Sequence, residues 1–172
     1  RVARGIPGDC RGGKQMRGWV GKDDGGHSTG GLFLRDDQGD NWLAGSITDI
    51  VDTVARPVLP SATRFCLGTI PAVDLVVAYG VAEGEAHVLV AALTLLPGTK
   101  LSAADLDSAL DHLPRSQRPQ YVQVVASVPV TTWHRPVWRG LQKRGVPKPA
   151  RGRQVWRLGK DGSHYDLLTL GG

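Results

Sequence analysis

The pentapeptide Gly26-His27-Ser28-Thr29-Gly30 has the spacing of a serine nucleophile elbow, in which a hydroxyl group attacks an ester carbonyl. That chemistry needs an apolar strand leading into the serine and a helix leaving it. Here a charged stretch, residues 22–25, precedes the pattern, and the apolar residues 32–34 predict a strand after it. The surroundings therefore argue against an esterase.

Metal and phosphate motifs are also missing from the sequence. The histidines form no HxxxH or HExxH pair, and Cys10 and Cys66 have neither metal-ligand spacing nor the partners of a disulfide framework. Gly98-Thr99-Lys100 lacks the upstream glycine of a P-loop. We therefore expect no metal site and, with so few cysteines, a reducing, cytoplasmic location.

The distribution of charge is the strongest chemical signal. The chain has a net charge of +5 and an isoelectric point near 9.6, yet residues 112–160 contain no Asp or Glu. A segment of one sign indicates either an anionic partner or a solvated face that keeps the protein soluble. The anionic partner would be nucleic acid, a phosphate-bearing cofactor, a membrane surface or an acidic protein. Trp133, Trp138 and Trp156 lie in this segment, and their rings can stack on bases.

The elements that position these residues belong to a globular chain. The 172 residues are 41% hydrophobic and 22% charged, which suits one domain, or a small domain with part of another. No uncharged stretch reaches the roughly 18 residues of a membrane-spanning helix. The Arg-rich N-terminus has no apolar core of a secretory signal. We therefore expect neither a membrane span nor a signal peptide.

The hydrophobic pattern predicts an α+β fold, a small sheet with flanking helices preceded by a β-hairpin. Residues 1–30 show no periodicity and are expected to be irregular. The predicted strands are 32–34 and 42–44 in the hairpin, 73–81, 87–96 and 121–126 in a three-stranded sheet, and 165–170 at an edge; the predicted helices are 62–67, 102–113 and 137–143.

The helix at 102–113 has the clearest local signals. Ser102 can cap its first turn while Asp105 returns the bond, as in a capping box. Leu106, Leu110 and Leu113 follow at spacings of four and three, which places them on one face. We expect this face to pack on the sheet.

Several short motifs follow one another in a recognisable order. The first is Ser28-Thr29-Gly30-Gly31-Leu32, followed by Asp37-Gln38-Gly39 and by Trp42 to Asp49. The Val-rich hairpin around Gly84-Glu85, the helix start at Leu101-Ser102, Val128-Pro129-Val130-Thr131 and Gln142-Lys143-Arg144-Gly145 come after it. Over residues 18–170 this order resembles the C-terminal region of adenylate-forming enzymes, in particular fatty-acid and very-long-chain acyl-CoA synthetases.

The resemblance implies three parts: the end of a large AMP-binding domain at 1–45, a hinge or connector at 46–61, and a C-terminal small domain at 62–172. It implies ATP-dependent formation of an acyl adenylate and transfer of the acyl group to coenzyme A. The cofactors would be ATP with Mg and coenzyme A, none of them held tightly by this chain alone. The partner would be a large AMP-binding domain, in the same chain or in another.

The family's functional positions fall on these residues: Thr29 and Gly31 for the nucleotide, Ser46, Thr48 and Asp49 in the hinge, and Arg135 in place of the adenylation lysine. Gly31 stands where the family has a carboxylate that accepts hydrogen bonds from the ribose hydroxyls. Arg135 keeps a positive charge, but its planar guanidinium is not an ammonium point charge. The resemblance therefore implies a degenerate site.

The favoured interpretation is the C-terminal part of a fatty-acid–CoA ligase-like protein that does not catalyse adenylation as an isolated chain. On this interpretation the chain binds polyanions weakly, with salt sensitivity and without base preference. A basic module that binds nucleic acid or another polyanion is the alternative. A regulatory or scaffolding partner of an acyl-CoA enzyme is a third.

Overall fold

A computed structural model describes residues 15–17, 25–27 and 30–170 of the protein. The chain divides into two compact units, with the boundary between Asp49 and Ile50. This boundary lies within the predicted connector at 46–61. The assignment of residues 1–45 to the end of a larger domain stays a prediction.

The first unit begins with a short two-stranded sheet. Strand β1 (Gln15–Arg17) pairs antiparallel with β2 (Gly25–His27). The prediction of an irregular segment over residues 1–30 is therefore wrong for these strands. Strands of three residues are too short to show apolar alternation, and two of the three residues of β2 are glycine, so these strands leave no periodic signal in the sequence.

The predicted hairpin follows, formed by β3 (Gly31–Arg35) and β4 (Asn41–Ser46). Asp36 holds its turn, because the carboxylate accepts hydrogen bonds from the backbone N–H of Gln38 at 3.0 Å and of Asp40 at 2.9 Å. The indole N–H of Trp42 donates to the same carboxylate at 2.8 Å. These bonds, that of Trp42 foremost, lower the pKa of Asp36 below its ordinary value.

The second unit begins with a very short hairpin and a helix. Strand β5 (Val51–Asp52) pairs antiparallel with β6 (Pro57–Val58), and helix α1 (Ser61–Gly68) comes next. The helix predicted at 62–67 is confirmed and is one residue longer at each end. Pro57 and Pro60 keep it from starting earlier, since proline removes a backbone donor and clashes within a helix.

A five-stranded sheet forms the body of the second unit. Its strands, in chain order, are β7 (Val73–Glu83), β8 (Ala86–Leu95), β9 (Tyr121–Val124), β10 (Val155–Leu158) and β11 (Tyr165–Leu167). In space the order is β11-β10-β9-β8-β7, and every pair is antiparallel except β8 with β9. The parallel pair needs a crossover, which helix α2 (Ala103–Leu110) supplies.

The sheet has two more strands on the side of β9 than the predicted core of three. The last strand was expected at an edge, and β11 is one of the two edge strands. Strand β10 was not predicted, because Val155-Trp156-Arg157-Leu158 is short and lies in the basic segment. The expected α+β fold, with a small sheet, flanking helices and a preceding hairpin, is nevertheless confirmed.

Helix α2 is capped as its sequence predicts. The Ser102 hydroxyl accepts a hydrogen bond from the backbone N–H of Asp105, and the Asp105 carboxylate accepts one from the backbone N–H of Ser102. Leu106 and Leu110 are completely buried. The helix ends at Leu110 rather than at Leu113, since the proline after Leu113 disfavours helical dihedrals at that residue.

Residues of the sheet alternate between two faces, and both faces are covered. On one face Leu93, Val122 and Trp156 pack in a cluster with α1 and α2. On the other face Tyr79 and Val90 pack against residues 125–146, which include the four-residue helix α3 (Arg139–Gln142). A helix was predicted over 137–143, so α3 is shorter than expected. Of the described helices, none is both long and apolar enough to cross a membrane.

Strand β5 packs closely against the sheet at Gly80 of β7. A Cβ atom placed on Gly80 of β7 would lie 2.7 Å from Cγ1 and 3.2 Å from Cγ2 of Val51. Val51 is itself buried in a cluster with Val58, Ala78 and Leu89. The χ1 angle of a valine is restricted, so this side chain cannot easily turn away. The glycine therefore allows β5 to lie directly on the sheet.

We expect the substitution Gly80→Ala to destabilise the protein by about 1–3 kcal/mol, because it overpacks a buried contact. In a Val51→Ala background, the same substitution should cost at least about 1 kcal/mol less, since the clashing methyl groups are gone. Chemical denaturation of the four proteins of this cycle measures the coupling. Gly140→Ala is the matched control, because apart from its chain neighbours and the backbone of its own helix no atom lies within 4 Å of the added methyl group. Equal costs in both backgrounds would contradict the close contact.

Candidate functional site

The basic segment is fixed to the sheet by apolar and polar contacts. Trp138 stacks on Tyr79 with ring centroids 6.0 Å apart and an angle of 4° between the planes. Leu141 is buried in the same cluster. The side-chain amide of Gln142 donates to the carbonyl oxygen of Gly80 at 2.8 Å. These contacts give the exposed cations of the segment a defined position on the sheet.

Residues 129–137 form a tight loop closed by backbone hydrogen bonds. The N–H of Val137 donates to the carbonyl of Pro129 at 2.7 Å, and that of Thr131 donates to the carbonyl of Arg135 at 2.9 Å. The Thr131 hydroxyl accepts from the N–H of Arg135 at 3.1 Å. His134 adopts a positive φ of 55°, which is rare for a residue with a side chain. The hydrogen bonds hold this unfavourable conformation.

Trp133 and Arg135 project from the tip of this loop. Trp133 is 83% exposed, and Arg135 is also exposed. The predicted position of the adenylation lysine therefore lies on a hydrogen-bonded, solvent-facing loop. An exposed tryptophan beside an arginine presents an aromatic surface and a cation to one ligand.

The remaining predicted site residues lie in the first unit. Thr29 is outside the described residues, and Gly31 opens β3, where it pairs with Ser46 of β4. The predicted hinge residues Ser46, Thr48 and Asp49 come together around a single 3-10 turn, residues 47–49.

Ser46 caps this turn in the manner of a helix N-cap. Its hydroxyl accepts from the backbone N–H of Thr48 at 3.3 Å, and its own backbone N–H donates to the Asp49 carboxylate at 3.2 Å. The hydroxyl groups of Ser46 and Thr48 are 3.0 Å apart. Asp49 therefore acts as a local structural acceptor in this conformation.

Some cations of the basic segment have structural roles. The Arg118 guanidinium donates to the backbone carbonyls of Asp111 at 2.7 Å, Leu113 at 3.0 Å and Gly162 at 3.1 Å. Arg115 donates to the carbonyl of Lys160. These two arginines therefore tie the end of α2 to the turn between β10 and β11.

A third structural cation lies over an aromatic ring. The Arg157 guanidinium is 5.8 Å from the centroid of the Tyr121 ring. The Tyr121 hydroxyl donates to the Glu83 carboxylate at 2.8 Å. This arginine completes a chain of contacts across β7, β9 and β10.

The other basic side chains of residues 112–160 are exposed. Within residues 30–170 they form neither ion pairs nor side-chain hydrogen bonds: Arg135, Arg139, Lys143, Arg144, Lys148, Arg151, Arg153 and Lys160. Nothing in that part of the structure neutralises them, so they are available to an anionic ligand.

A buried polar pair lies beneath these cations. Gln123 of β9 is 5% exposed, and its side-chain amide donates to the Tyr79 hydroxyl at 2.8 Å. Gln123 also lines a cavity of about 270 Å³, with Arg144, Lys148 and Arg153 among the other lining residues. Burial, foremost, raises the pKa of Tyr79 to about 12.

The sequence did not reveal this pair. Tyr79 and Gln123 are 44 positions apart and meet because both point to the same face of the sheet. The one local signal is a polar residue between Val122 and Val124 in an apolar strand.

The prediction that the ring of Trp156 can stack on bases is wrong, because this side chain is only 2% exposed. Trp138 is half-buried and stacks on Tyr79. Trp133 is therefore the tryptophan of the basic segment that offers a free ring. Within the described residues, no three His, Cys, Asp or Glu side chains come together in a way that would hold a metal ion.

Comparison with solved structures identifies the fold. The chain is similar to ATP-bound MatB from Rhodopseudomonas palustris, with a TM-score of 0.62 and 24% identity over 71% of this chain and 25% of that chain. The amide bond synthetase McbA from Marinactinospora thermotolerans matches with a TM-score of 0.62 and 24% identity over 69% and 25% of the two chains. A fatty acyl CoA synthetase from Mycobacterium tuberculosis matches with a TM-score of 0.58 and 17% identity, over 71% of this chain and 24% of that chain.

These proteins are adenylate-forming ligases, and the chain has the fold of their C-terminal small domain. It spans about a quarter of the length of the solved proteins that it matches. No protein-family model matches the sequence, and neither does any curated protein.

The buried tyrosines predict a pH dependence of stability. The folded protein raises the pKa of Tyr79 to about 12, and burial also raises the pKa values of Tyr121 and Tyr165. The fold therefore favours the neutral phenols. Their contribution is complete below the unfolded pKa of about 10 and is lost as the pH rises through the folded pKa values.

We expect the free energy of unfolding to fall between pH 10 and pH 12, by up to about 1.4 kcal/mol per pH unit for each tyrosine that titrates only in the unfolded state. Denaturation at a series of pH values measures this slope. Tyr79→Phe should make the slope shallower, although loss of its bond with Gln123 lowers stability at every pH. Tyrosinate absorbance that rises near pH 10 in the folded protein would contradict the shifts.

Proposed function

We propose that the chain is the C-terminal part of a fatty-acid–CoA ligase-like protein and works together with a large AMP-binding domain, supplied in the same chain or by another protein. The small domain would bring the loop at 129–137 to that partner. The observation that carries this proposal is the fold of the second unit together with a hydrogen-bonded loop that presents Arg135 at its tip.

The exposed apolar surface of the first unit supports the proposal that this chain contacts a larger domain. The β3–β4 hairpin leaves four large apolar side chains substantially exposed: Phe33, Leu34, Trp42 and Leu43. The register places Phe33 with Leu43 on one face of the hairpin and Leu34 with Trp42 on the other. Large apolar side chains that are exposed in this way commonly mark a protein contact. A hairpin at the end of a larger domain would bury them against that domain.

The residues of this chain do not suit ATP by themselves. Gly31 offers no carboxylate to the ribose hydroxyls, and the neighbouring Asp49 accepts a hydrogen bond from the backbone of Ser46. Arg135 offers a guanidinium rather than an ammonium group. We therefore derive no adenylation step for the isolated chain and propose that its site is degenerate.

Coenzyme A suits the exposed cations better. It carries a diphosphate and a 3′-phosphate, and the cations around the loop have no neutralising partner within residues 30–170. Arg135 can contact a phosphate with two parallel N–H donors. Trp133 beside it offers a face to the adenine ring.

We expect the isolated chain to catalyse no ATP–pyrophosphate exchange with any fatty acid. The assay uses radiolabelled pyrophosphate with saturated fatty acids of several lengths, and a parallel preparation of Arg135→Ala reveals any contaminating ligase. Exchange that is lost only in the variant would show that the chain is active, and the proposed degeneracy would be wrong.

We also expect weak, salt-sensitive binding of coenzyme A that depends on the loop. Arg135→Ala should weaken binding several-fold, because it removes a charge-assisted contact with phosphate. The control Arg151→Ala removes one equally exposed charge elsewhere in the segment and should have a smaller effect. Calorimetric titration at fixed salt compares them, and an equal loss in both variants would refute a site at the loop.

A polyanion-binding module is the second candidate, favoured by the exposure of both Trp133 and Arg135 on one short loop. This function predicts binding to a mixed-sequence oligonucleotide whose affinity falls steeply with salt. Titration of two oligonucleotides of different sequence, at low and moderate salt, separates the candidates. A base preference that survives moderate salt would favour nucleic acid over the ligase-like function.

A further inference from the structure

The basic segment and strand β9 line a small, partly open cavity. Its floor includes Gln123, which is 5% exposed, and its wall includes the buried Leu141. Gly145, with a positive φ of 76°, turns the chain around it after α3. The cavity measures about 270 Å³, which is below the usual range of about 300–1,000 Å³ for drug-sized ligands and suits a small one.

The charge around the cavity has one sign. Arg144, Lys148 and Arg153 line it, and no acidic residue does. These three cations form no ion pair within residues 30–170. Three uncompensated cations around one small opening raise the local concentration of anions.

The side-chain amide of Gln123 is a neutral hydrogen-bond donor in the lining of the cavity, and Tyr79 on the same sheet fixes its orientation. The amide nitrogen of Gln123 carries two hydrogens, and the Tyr79 hydroxyl accepts one of them at 2.8 Å. The second hydrogen makes no bond to a described residue. The stack of Tyr79 on Trp138 limits the movement of the hydroxyl and therefore of the amide.

We propose that this cavity binds a phosphate group, with the Gln123 amide as a neutral donor at its floor and Arg144, Arg153 and Lys148 as charged donors at its rim. Tetrahedral oxyanions accept hydrogen bonds in several directions, which suits donors that approach from the floor and the rim. A guanidinium offers two parallel donors to such an oxyanion, and an ammonium adds a point charge. The phosphate is free in solution or the terminal group of a small metabolite.

This site is separate from the loop at 129–137 and does not rest on the proposed function. Neither Trp133 nor Arg135 lines the cavity. Loss of coenzyme A binding by Arg135→Ala and loss of phosphate binding by a cavity variant are therefore independent results.

The experiment is a titration of the full chain with inorganic phosphate at constant ionic strength, followed by the NMR signals of the Gln123 side-chain amide and the arginine Nε–H groups. Sodium chloride replaces phosphate in the reference series. The cavity variant is R144A/R153A, and the control is R139A/R151A, which loses the same charge from exposed positions that do not line the cavity. Thermal unfolding checks that both variants remain folded.

We expect saturable binding of phosphate, weakened about tenfold or more in R144A/R153A and less than about twofold in the control. Gln123→Met should weaken binding several-fold, because it removes the amide donor and keeps a side chain of similar length. Should that variant fail to fold, Lys148→Ala replaces it, with a loss smaller than that of the double variant.

Equal weakening in both double variants would mean that phosphate responds only to the net charge of the protein, and the proposal would be wrong. Shifts that rise linearly with phosphate, as they do with chloride, would also overturn it. A third adverse outcome is an oligonucleotide that binds and depends on Arg144 and Arg153 while phosphate does not bind. The rim would then belong to an extended polyanion surface. Addition of a phosphorylated sugar to the phosphate-saturated protein distinguishes a free anion from a terminal group.

Discussion

The central strands of the sheet are apolar on both faces, and each face must therefore be covered by other elements of the second unit. In β8, Ala91 and Leu93 face one apolar cluster while Val90 and Ala92 face the other. A sheet of this kind is stable only if a layer covers each side. Helices α1 and α2 form one layer. The basic segment forms the other, so the exposed cations lie on an element that is also required for the core.

Because the basic segment both covers the sheet and carries the exposed charge, some of its cations stabilise the fold and others face solvent. Arg115, Arg118 and Arg157 contact carbonyls or a ring and hold the fold together. The exposed cations between Arg135 and Lys148 belong to a stretch that Val128, Trp138 and Leu141 attach to the sheet. The core thus acts as a rigid base for a surface of positive charge. A phosphate-bearing ligand is the kind of molecule that such a surface recognises.

The elements that the sequence predicted are those with strong local signals. The Val-rich strands β7 and β8, the capping box of α2 and the β3–β4 hairpin all carry their own periodicity or turn chemistry. Strand β10 was missed because Arg157 and its basic neighbours conceal the apolar pattern. The Tyr79–Gln123 pair was missed for another reason, since it depends on side-chain parity across three strands. The loop around Arg135 was located by the order of motifs, but the positive φ of His134 has no signal in sequence.

The parallel pairing of β8 with β9 has a consequence for how the chain folds during synthesis. The β7–β8 hairpin is local and can form as soon as it leaves the ribosome. Strand β9 joins it after the crossover through α2 and then remains an open edge until residues 155–158 have been made. Exposed edges recruit other strands, so this interval is when a nascent chain is most exposed to aggregation. The basic residues made in this same interval carry a charge of one sign, which keeps neighbouring nascent chains apart.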